Sequence, residues 1–379
     1  MGGPAHQVAL LSGRRLDPER YETLLVHGEL APGEASAEHL AKQEGARLVP
    51  IPTLSPQISP LEDPRALASI CGIAHRFRPH VVHTHTAKAG FLGRSAALAS
   101  GGRRPKLVHT FHGHVLSGYF GPAKERLYRG LERGLGSKTD ALVGVSDATV
   151  AELVEIGVAP AERFRTIPVG LDLPSLVERS RQPGLGPSTR EELGLDPDAV
   201  VFTFVGRLVP IKRVDRLIEA FAIARAAEPT ARLVVVGDGD ERPEREAQAR
   251  AAGVADAVRF AGYRSDLAGI FAASDCAVIS SDNEGTPVSL IEAGACGVPG
   301  ISVDVGGVRE VLGEDAGIVV PRGDATALGK AMARVAGDAD LRSALGRAAA
   351  KRMPARYGAD RLLADIDALY GELVGAARS

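Results

Sequence analysis

The stretch CAVISSDNEGTPVSLIEAGACGVPGISVD, residues 276–304, decides how this chain folds. CAVISS is a short apolar run typical of a buried strand, and GISVD begins the next strand. Thr286 is a good N-cap, and Pro287 suits the first position of the helix between the two strands. Gly297 and Pro299 then end that helix. A strand, a helix and a second strand in this order predict a parallel sheet that helices cover.

The same alternation of strand and helix runs through both halves of the chain. The first half contains these predicted strands: YETLLVHG, ARLVPIP, PHVVHTHT, KLVHTFHG, DALVGVS and FRTIPVG. The second half contains these: VVFTFVG, ARLVVVGDG, AVRFAG, CAVISS, PGISVD and AGIVVP. Between the two series lies a stretch rich in proline, glycine and serine, which we interpret as a linker. The sequence therefore predicts an α/β protein of two Rossmann-like domains, residues 1–180 and 200–354, with a linker over residues 181–199.

Composition and charge exclude several classes of protein. Hydrophobic residues make up 45% of the 379 positions and charged residues 24%, as in an ordinary globular protein. The formal net charge of −2 gives no reason to expect nucleic-acid binding. No apolar run approaches the roughly 18 residues of a membrane span, and the first residues lack the pattern of a signal peptide. The three cysteines, Cys71, Cys276 and Cys296, are scattered, so we expect reduced thiols and a cytoplasmic location.

Two glutamates flank the start of the predicted helix in the second half. Glu284 lies in the loop before the helix, and Glu292 lies inside it. The amides of about Val288 and Ser289 stand at the positive end of the helix, where a diphosphate would fit. Glu292 could then accept hydrogen bonds from ribose hydroxyls, and Glu284 could reach the hydroxyls of a sugar beyond the phosphates. The alternative is two solvated glutamates on a surface helix, because this spacing is common.

A second motif supports an anion site in the same half. VFTFVGRLVPIKRVDRLIEAF places Gly206 and Arg207 at the end of a strand, and Lys212 follows five residues later. A glycine there lets the backbone approach a ligand, and the two cations suit one diphosphate. The alternative is a basic loop that points into solvent.

Three motifs in this order resemble those of the retaining glycosyltransferases of family 4: VGRLVPIKRVDRLIEAF, VVVGDGDER and EGTPVSLIEA. HTHTAKAGFLGRSAA and VHTFHGH in the first half are similar to bacterial members that act in polysaccharide assembly. The resemblance covers nearly the whole chain. It implies the GT-B fold, in which two Rossmann-like domains face each other across a cleft. The N-terminal domain then binds the acceptor, and the C-terminal helix, about residues 355–379, packs back on that domain.

The resemblance also implies a donor and the residues that hold it. The donor is a nucleotide-diphosphate sugar, expected to be a UDP-sugar, transferred with retained anomeric configuration and with no metal or other cofactor. Arg207 and Lys212 hold the diphosphate, Glu292 holds the ribose, and Gly3 lies in a glycine loop near the phosphates. The donor sugar contacts Glu284 and the backbone of Gly285, Thr286, Pro287 and Val288, and Tyr263 and Arg264 flank the base. The expected catalytic residues are His112, Glu284, Arg207 and Lys212.

The histidines raise the question of a metal, since all ten lie before residue 115. His83 and His85 alternate on one predicted strand and so share a face, and a further group of histidines follows the next strand. No carboxylate or cysteine set completes a metal site, so we expect none. The family pattern instead matches His112 to a histidine beside the reacting sugar, where it donates to a sugar hydroxyl or positions the departing diphosphate. Lys88 is expected either to meet an acceptor phosphate or to be an ordinary solvated lysine.

The expected acceptor is a glycan or a lipid-linked glycan used in cell-surface polysaccharide assembly. Residues 103–138 contain eight basic and two acidic side chains, a local charge of +6. Arg126, Arg129 and Arg133 recur at helical spacing beside Leu127, which suits an anionic membrane surface. We therefore expect peripheral contact with the cytoplasmic face of the membrane. The alternative is a solvated surface helix.

The start of the chain carries an expectation of its own. In a doubly wound domain a strand precedes the glycine loop, whereas Gly2 and Gly3 open this sequence and HQVALLSGRRL is typical of the first helix. We therefore expect the first strand to be missing and the N-terminal sheet to have a gap where it belongs.

Other activities fit parts of the pattern. A sugar-nucleotide epimerase of the same fold would convert the donor with no acceptor present, and a non-catalytic sugar-nucleotide-binding protein would bind the donor without turnover. A glycoside hydrolase needs carboxylates on both sides of a glycosidic bond, whereas Glu284 and Glu292 lie on one element beside an anion site. Gly237–Asp238–Gly239 lacks the third glycine of a dinucleotide loop, so we interpret it as a turn.

Overall fold

The computed structural model describes residues 3–13, 16–29, 38–113 and 121–375 of the chain. It divides into two compact units. Unit 1 comprises Met1–Leu171 and Ala359–Ser379, and unit 2 comprises Asp172–Gly358. Both are α/β units built on parallel strands, and the predicted fold class is confirmed.

Unit 1 alternates short strands and helices. Its strands are β1 (Leu25–His27), β2 (Leu48–Pro50), β3 (Val81–His85), β4 (Lys106–Phe111), β5 (Ala141–Gly144) and β6 (Phe164–Thr166). Its helices are α1 (Gly3–Ser12), α2 (Glu38–Gln43), α3 (Glu62–Phe77), α4 (Ala87–Ala99), α5 (Pro122–Gly136) and α6 (Asp147–Glu155), followed at the C-terminal end of the chain by α16 (Ala359–Gly375). Within the described residues these strands form two separate sheets, β1-β2 and β3-β4-β5-β6. That the first strand is missing before α1 stays a prediction.

The core of unit 1 depends on α16. Leu362, Ile366 and Leu369 on this helix are buried in one cluster with residues of β4 and β5. Gly170 permits the close packing, because a Cβ atom there would overlap the side chain of Leu362. The sequence predicted that a C-terminal helix returns to the first domain, and Asp367 adds polar contacts to the apolar ones: its carboxylate accepts hydrogen bonds at 2.7 Å from Arg20 and at 2.5 Å from Tyr21.

Unit 2 contains one sheet among its described residues. Its strands are β7 (Val200–Val205), β8 (Ala231–Val236), β9 (Val258–Gly262), β10 (Cys276–Ile279), β11 (Gly300–Val303) and β12 (Gly317–Val320). Its helices are α7 (Leu173–Ser180), α8 (Leu185–Glu192), α9 (Val214–Ala227), α10 (Arg242–Ala251), α11 (Ala268–Ala273), α12 (Val288–Ala295), α13 (Val308–Leu312), α14 (Ala325–Gly337) and α15 (Ala339–Tyr357). Across both units, each predicted strand segment contains one of the strands β1 to β12.

The strand order of unit 2 fixes the position of a crevice. The order is β12-β11-β10-β7-β8-β9, and every neighbouring pair is parallel. The chain therefore builds outward from β7 in one direction through β8 and β9, and then restarts on the other side with β10. The loops after β7 and β10 diverge at the carboxyl edge of the sheet, where open α/β sheets bind their ligands.

The predicted linker over residues 181–199 is not a linker in the structure. Residues 185–192 form α8, and Leu193 and Leu195 just beyond it are buried in a cluster with Val201 of β7. Arg190 of this helix forms an ion pair with Asp275 at 2.8 Å. This segment belongs to unit 2, and the first boundary between the units follows residue 171 rather than residue 180. The second follows residue 358, close to the predicted 354.

A buried ion pair in unit 1 yields the first prediction. Arg94 and Glu132 pair at 2.8 Å with side chains 0% and 9% exposed. Replacing Arg94 by Met leaves the Glu132 carboxylate buried without its partner, so we expect the free energy of unfolding to fall by about 3–5 kcal/mol. The double variant R94M/E132M removes both charges and should recover most of this loss. Chemical denaturation followed by circular dichroism measures both effects.

The control is Lys42→Met, which breaks an exposed pair with Glu38 whose side chains are 64% and 45% exposed. Its cost should stay below about 1 kcal/mol. Equal losses for the Arg94 and Lys42 variants would show that burial does not govern the cost.

Candidate functional site

Two loops meet at the carboxyl edge of the unit 2 sheet, one after β7 and one after β10. Lys212 from the first loop forms an ion pair with Glu284 of the second at 2.7 Å. The same Glu284 oxygen accepts a hydrogen bond from the hydroxyl of Ser281 at 2.6 Å. The hydroxyl of Ser280 donates to the carbonyl oxygen of Lys212 at 3.0 Å. The residues predicted to hold the diphosphate and the sugar are thus brought into direct contact.

A network of arginines and aspartates holds the two loops in place. Arg213 has a left-handed backbone, with φ of 50°, and its guanidinium pairs with Asp215 at 2.8 Å and with Asp282 at 3.0 Å. Arg216, almost fully buried, donates to Asp282 at 2.9 Å and to the carbonyl oxygen of Ser280 at 2.9 Å. Sequence reasoning missed these supporting residues. The available signal was the repeated arginine of KRVDR, at positions 213 and 216, after the loop lysine.

The loop after β11 packs against the backbone of Glu284 and Gly285. Gly306 has φ of 48°, and a Cβ atom there would overlap the carbonyl oxygen of Glu284. The amide of Gly307 donates to the carbonyl oxygen of Gly285 at 2.9 Å. Only a residue without a side chain fits so close to the neighbouring backbone. The glycine pair in VDVGGVREV was the signal for this contact, and sequence reasoning did not use it.

Helix α12 starts one residue later than predicted. Its N-cap is Pro287, with φ of −74° and ψ of 90°, and its first residue is Val288. The carbonyl oxygen of Pro287 accepts the first bond of the helix, from the amide of Leu290 at 3.1 Å, so Thr286 is not the N-cap. The amides of Val288 and Ser289 lie in the first turn of α12, where no carbonyl group of the helix precedes them. Such N–H groups give this end of α12 its partial positive charge.

Glu292 lies within α12 and is partly buried. Burial raises the pKa of this carboxyl from 4.5 to about 7. A glutamate on a solvated surface helix would keep its ordinary pKa, so the alternative of two solvated glutamates does not describe Glu292. A hydrogen-bond donor supplied by a ligand would stabilise the charged form of this carboxyl group.

The remaining predicted donor residues also lie in unit 2. Arg207 is exposed and forms no ion pair within the described part of the chain. Gly237 has φ of 128° and passes so close to Gly206 that a Cβ atom would overlap its carbonyl oxygen. The predicted turn lies just after the GDG segment, at residues 240–241, and α10 begins at Arg242.

Tyr263 and Arg264, expected to flank the base, follow β9. The ring of Tyr263 is 54% exposed, and Arg264 forms an ion pair with Glu192 at 2.6 Å. β9 is the edge strand of the sheet, two strands away from β7. Their contact with a base stays a prediction.

Unit 1 contains the other predicted site residues, Gly3 and His112. Gly3 is the first residue of α1. His112 follows β4, and its Nε2 lies 2.9 Å from Nδ1 of His85. His83 and His85 stack with ring centroids 4.4 Å apart, which confirms that they share a face of β3. Lys88 is neither solvated nor unpaired, because it forms an ion pair with Asp63 at 2.5 Å and both side chains are largely buried.

Two absences among the described residues bear on cofactors and membranes. No group of three or more His, Cys, Asp or Glu side chains in these residues is arranged to hold a metal ion. Within the same residues, no helix combines the length and the apolar character needed to cross a bilayer.

Comparison with known proteins adds independent findings. Residues 2–170 match the family model of a glycosyl transferase 4-like domain, and residues 187–352 match that of glycosyl transferases group 1. The chain is 28% identical over 336 residues to UDP-Gal:alpha-D-GlcNAc-diphosphoundecaprenol alpha-1,3-galactosyltransferase of Escherichia coli, covering 88% of this chain and 84% of that protein. It is 31% identical over 309 residues to D-inositol 3-phosphate glycosyltransferase of Jonesia denitrificans, covering 76% of this chain and 71% of that one.

Solved structures share the fold. HepE of Anabaena, crystallised with UDP and glucose, superposes with a TM-score of 0.81 at 21% identity and covers 97% of this chain and 95% of its own. Sucrose-phosphate synthase of Thermosynechococcus elongatus gives a TM-score of 0.78 at 22% identity, covering 97% and 92%.

The raised pKa of Glu292 yields the second prediction. Its carboxyl is protonated below about pH 7 in the folded chain but only below 4.5 in the unfolded chain. The folded state therefore binds more protons between these values, and its stability falls as the pH rises through this window. Glu292→Gln removes this dependence. The free energy of unfolding of the variant minus that of the wild type should therefore increase by up to about 3 kcal/mol as the pH rises through the window. Urea unfolding across the window measures it, and parallel curves for the two proteins would contradict it.

Proposed function

The chain belongs to the family 4 glycosyltransferases, which have the GT-B fold, and on that premise we propose that it transfers a sugar from a UDP-sugar to a glycan or lipid-linked acceptor. The observation that carries the proposal is the Lys212–Glu284 pair beside the start of α12. A cation, a carboxylate and a positive helix end stand together at the point where the strand order reverses. This combination suits a diphosphate joined to a group that is rich in hydroxyls.

The donor would use each part of this site. Lys212 has three N–H donors and can bind a phosphate oxygen while it keeps Glu284. Arg207 is exposed and can bind the diphosphate in bidentate fashion. The Glu284 oxygen not held by Lys212 and Ser281 is left to accept hydrogen bonds from the sugar. The carboxylate of Glu292 would accept hydrogen bonds from the ribose hydroxyls, which favours its charged form and releases its proton.

Transfer requires departure of the nucleotide diphosphate, which builds negative charge on the leaving oxygen. Lys212, Arg207 and the positive end of α12 would stabilise this charge. Glu284, held by Lys212 and Ser281, would orient the sugar rather than act as a covalent nucleophile. We therefore propose transfer with retained anomeric configuration and without a covalent glycosyl-enzyme or a metal ion.

The acceptor is proposed from the relatives. The name of the E. coli relative includes a sugar on diphosphoundecaprenol, and that of the J. denitrificans relative includes inositol 3-phosphate. Both acceptors carry phosphate, and the first is linked to a lipid. We therefore propose a lipid-linked glycan of cell-surface polysaccharide assembly as the acceptor, and the cytoplasmic face of the membrane as the place of the reaction.

The decisive experiment separates transfer from the two alternatives of the same fold. The purified chain is incubated with single UDP-sugars, with and without a polyprenyl-diphosphate sugar, and the products are identified by mass spectrometry. We expect a new glycolipid only when both substrates are present, and NMR of the product should show the anomeric configuration of the donor. Conversion of the donor without an acceptor would indicate an epimerase. Binding of UDP with no turnover in any combination would indicate a sugar-nucleotide-binding protein.

The third prediction concerns the donor site. Glu292→Ala should weaken UDP binding by about 1–3 kcal/mol, because the ribose hydroxyls lose their acceptor. Arg207→Ala should cost at least as much in kcat/KM. Calorimetry and steady-state kinetics measure the two effects. The control is Arg250→Ala, which removes an exposed arginine at the far end of α10. Unchanged UDP affinity in both site variants would refute the assignment.

We also propose that α5 contacts an anionic membrane surface. Leu127 is 59% exposed and Leu131 is 39% exposed, one turn apart, and the side chains of Arg126 and Arg133 are exposed beside them. Exposed leucines at helical spacing with arginines next to them suit a surface of acyl chains and anionic headgroups. Glu132, by contrast, faces inward and is paired with Arg94, so it does not offset this charge at the surface.

The fourth prediction tests this surface. The variant R126E/L127Q should bind vesicles that contain anionic lipid at least about tenfold more weakly, since each cation near such a surface contributes about 1 kcal/mol. Co-sedimentation with vesicles measures binding. Arg76→Glu makes the same charge change at an exposed position of α3 and should leave binding intact. Binding that does not depend on anionic lipid would count against the surface.

A further inference from the structure

A chain of neutral side chains leads to His112 within unit 1. The hydroxyl of Tyr370 on α16 lies 2.7 Å from Nδ1 of His83, and Nε2 of His83 lies 2.7 Å from the hydroxyl of Thr110. The ring of His83 stacks on that of His85, whose Nδ1 contacts Nε2 of His112 at 2.9 Å. The packing of α16 thus extends through two stacked rings to the histidine expected beside the reacting sugar.

His112 presents its two ring nitrogens to different surroundings. Nε2 is occupied by His85, whereas Nδ1 is buried and has no hydrogen-bond partner among the described residues. Burial lowers the pKa of His112 to about 4, and burial likewise lowers the pKa of His85 well below its ordinary value. Both rings are therefore neutral at pH 7, and one proton must lie between them along the contact.

The unpartnered Nδ1 of His112 indicates which of the two rings, His85 or His112, donates the hydrogen bond between them. If Nδ1 of His112 carried the proton, a buried N–H group would have no acceptor, and folded proteins rarely leave such a group orphaned. If Nε2 carries the proton, it donates to Nδ1 of His85, and Nδ1 of His112 keeps only a bare lone pair. The second arrangement leaves no orphaned N–H group on His112, and Nε2 of the half-buried His85 is not among the described buried atoms that lack a partner.

We propose that His85 is a positioning residue, which accepts the Nε2 hydrogen of His112 and so holds His112 in the tautomer whose bare Nδ1 accepts a hydrogen bond from a substrate hydroxyl. This inference rests on the proposed function for its substrate, a sugar or acceptor hydroxyl. It reverses the expectation that His112 donates to a sugar hydroxyl.

Two substitutions of His85 separate hydrogen bonding from packing. His85→Phe keeps a ring that can stack on His83 but has no acceptor for His112. His85→Asn carries an amide oxygen near the position of Nδ1 and can accept the same hydrogen. His80→Phe is the matched control, since His80 is exposed and precedes β3 at the opposite end of that strand.

The test reads the tautomer directly. In the full chain labelled with 15N-histidine, two-bond 1H–15N spectra show which nitrogen carries hydrogen, and the His112→Gln variant identifies the His112 signals. We expect a protonated Nε2 and a bare Nδ1 in the wild type and in H85N, and a mixture of tautomers in H85F. With a UDP-sugar and acceptor, H85F should lower kcat about tenfold with the donor KM changed less than about twofold, and H85N should recover most of the rate.

A proton on Nδ1 of wild-type His112 would overturn the proposal, and so would an unchanged tautomer in H85F. If H85F does not fold, the spectra of the wild type and H85N decide. The spectra need no substrate, so a chain that fails to transfer sugar would refute the proposed function while the tautomer of His112 is still measured.

Discussion

The contact between Lys212 and Glu284 depends on the reversal of strand order at β7 and β10, and the rest of the unit 2 site depends on that contact. The two residues come from loops 72 positions apart, and only neighbouring parallel strands bring them within 2.7 Å. Both side chains are largely shielded from water, at 26% and 11% exposed, so the pairing compensates two charges that solvent reaches poorly. The arginines at 213 and 216, and the glycine at 306, keep both loops at the distance that this pairing requires.

The sequence predicted the strands well because most of them contain a short apolar run next to a glycine, a proline or a polar group. Such runs can be recognised without knowing which strands lie beside them. Burial on both faces of a parallel sheet favours apolar residues along the whole strand. The donor loop was predicted for a related reason. A glycine, a proline and a helix pattern stand in adjacent positions in EGTPVSLIEA. A loop followed by the start of a helix could therefore be predicted from this segment alone, without knowledge of the sheet.

Most of the failures have one physical cause, which is packing between different segments of the chain. Residues 185–192 form α8 although proline, glycine and serine favour a loop there, because Leu193 and Leu195 bury against β7 and anchor its C-terminal end. The ion pair of Lys88 with Asp63 and the contact of His85 with His112 likewise join segments that lie 25 or more positions apart. A single sequence carries no direct signal for such pairs, and a charge that is paired in this way looks solvated when it is read alone.

The position of α16 has a consequence for how the chain is made. The chain leaves unit 1 at Leu171 and returns to it at Ala359, so unit 2 is an insertion within unit 1 in topological terms. A ribosome completes all of unit 2 before it delivers Leu362, Ile366 and Leu369, the residues that close the core of unit 1. The second unit can therefore fold during synthesis, whereas the first must keep an open apolar groove until α16 has been synthesised. Such a groove is the kind of transiently exposed apolar surface that chaperones bind.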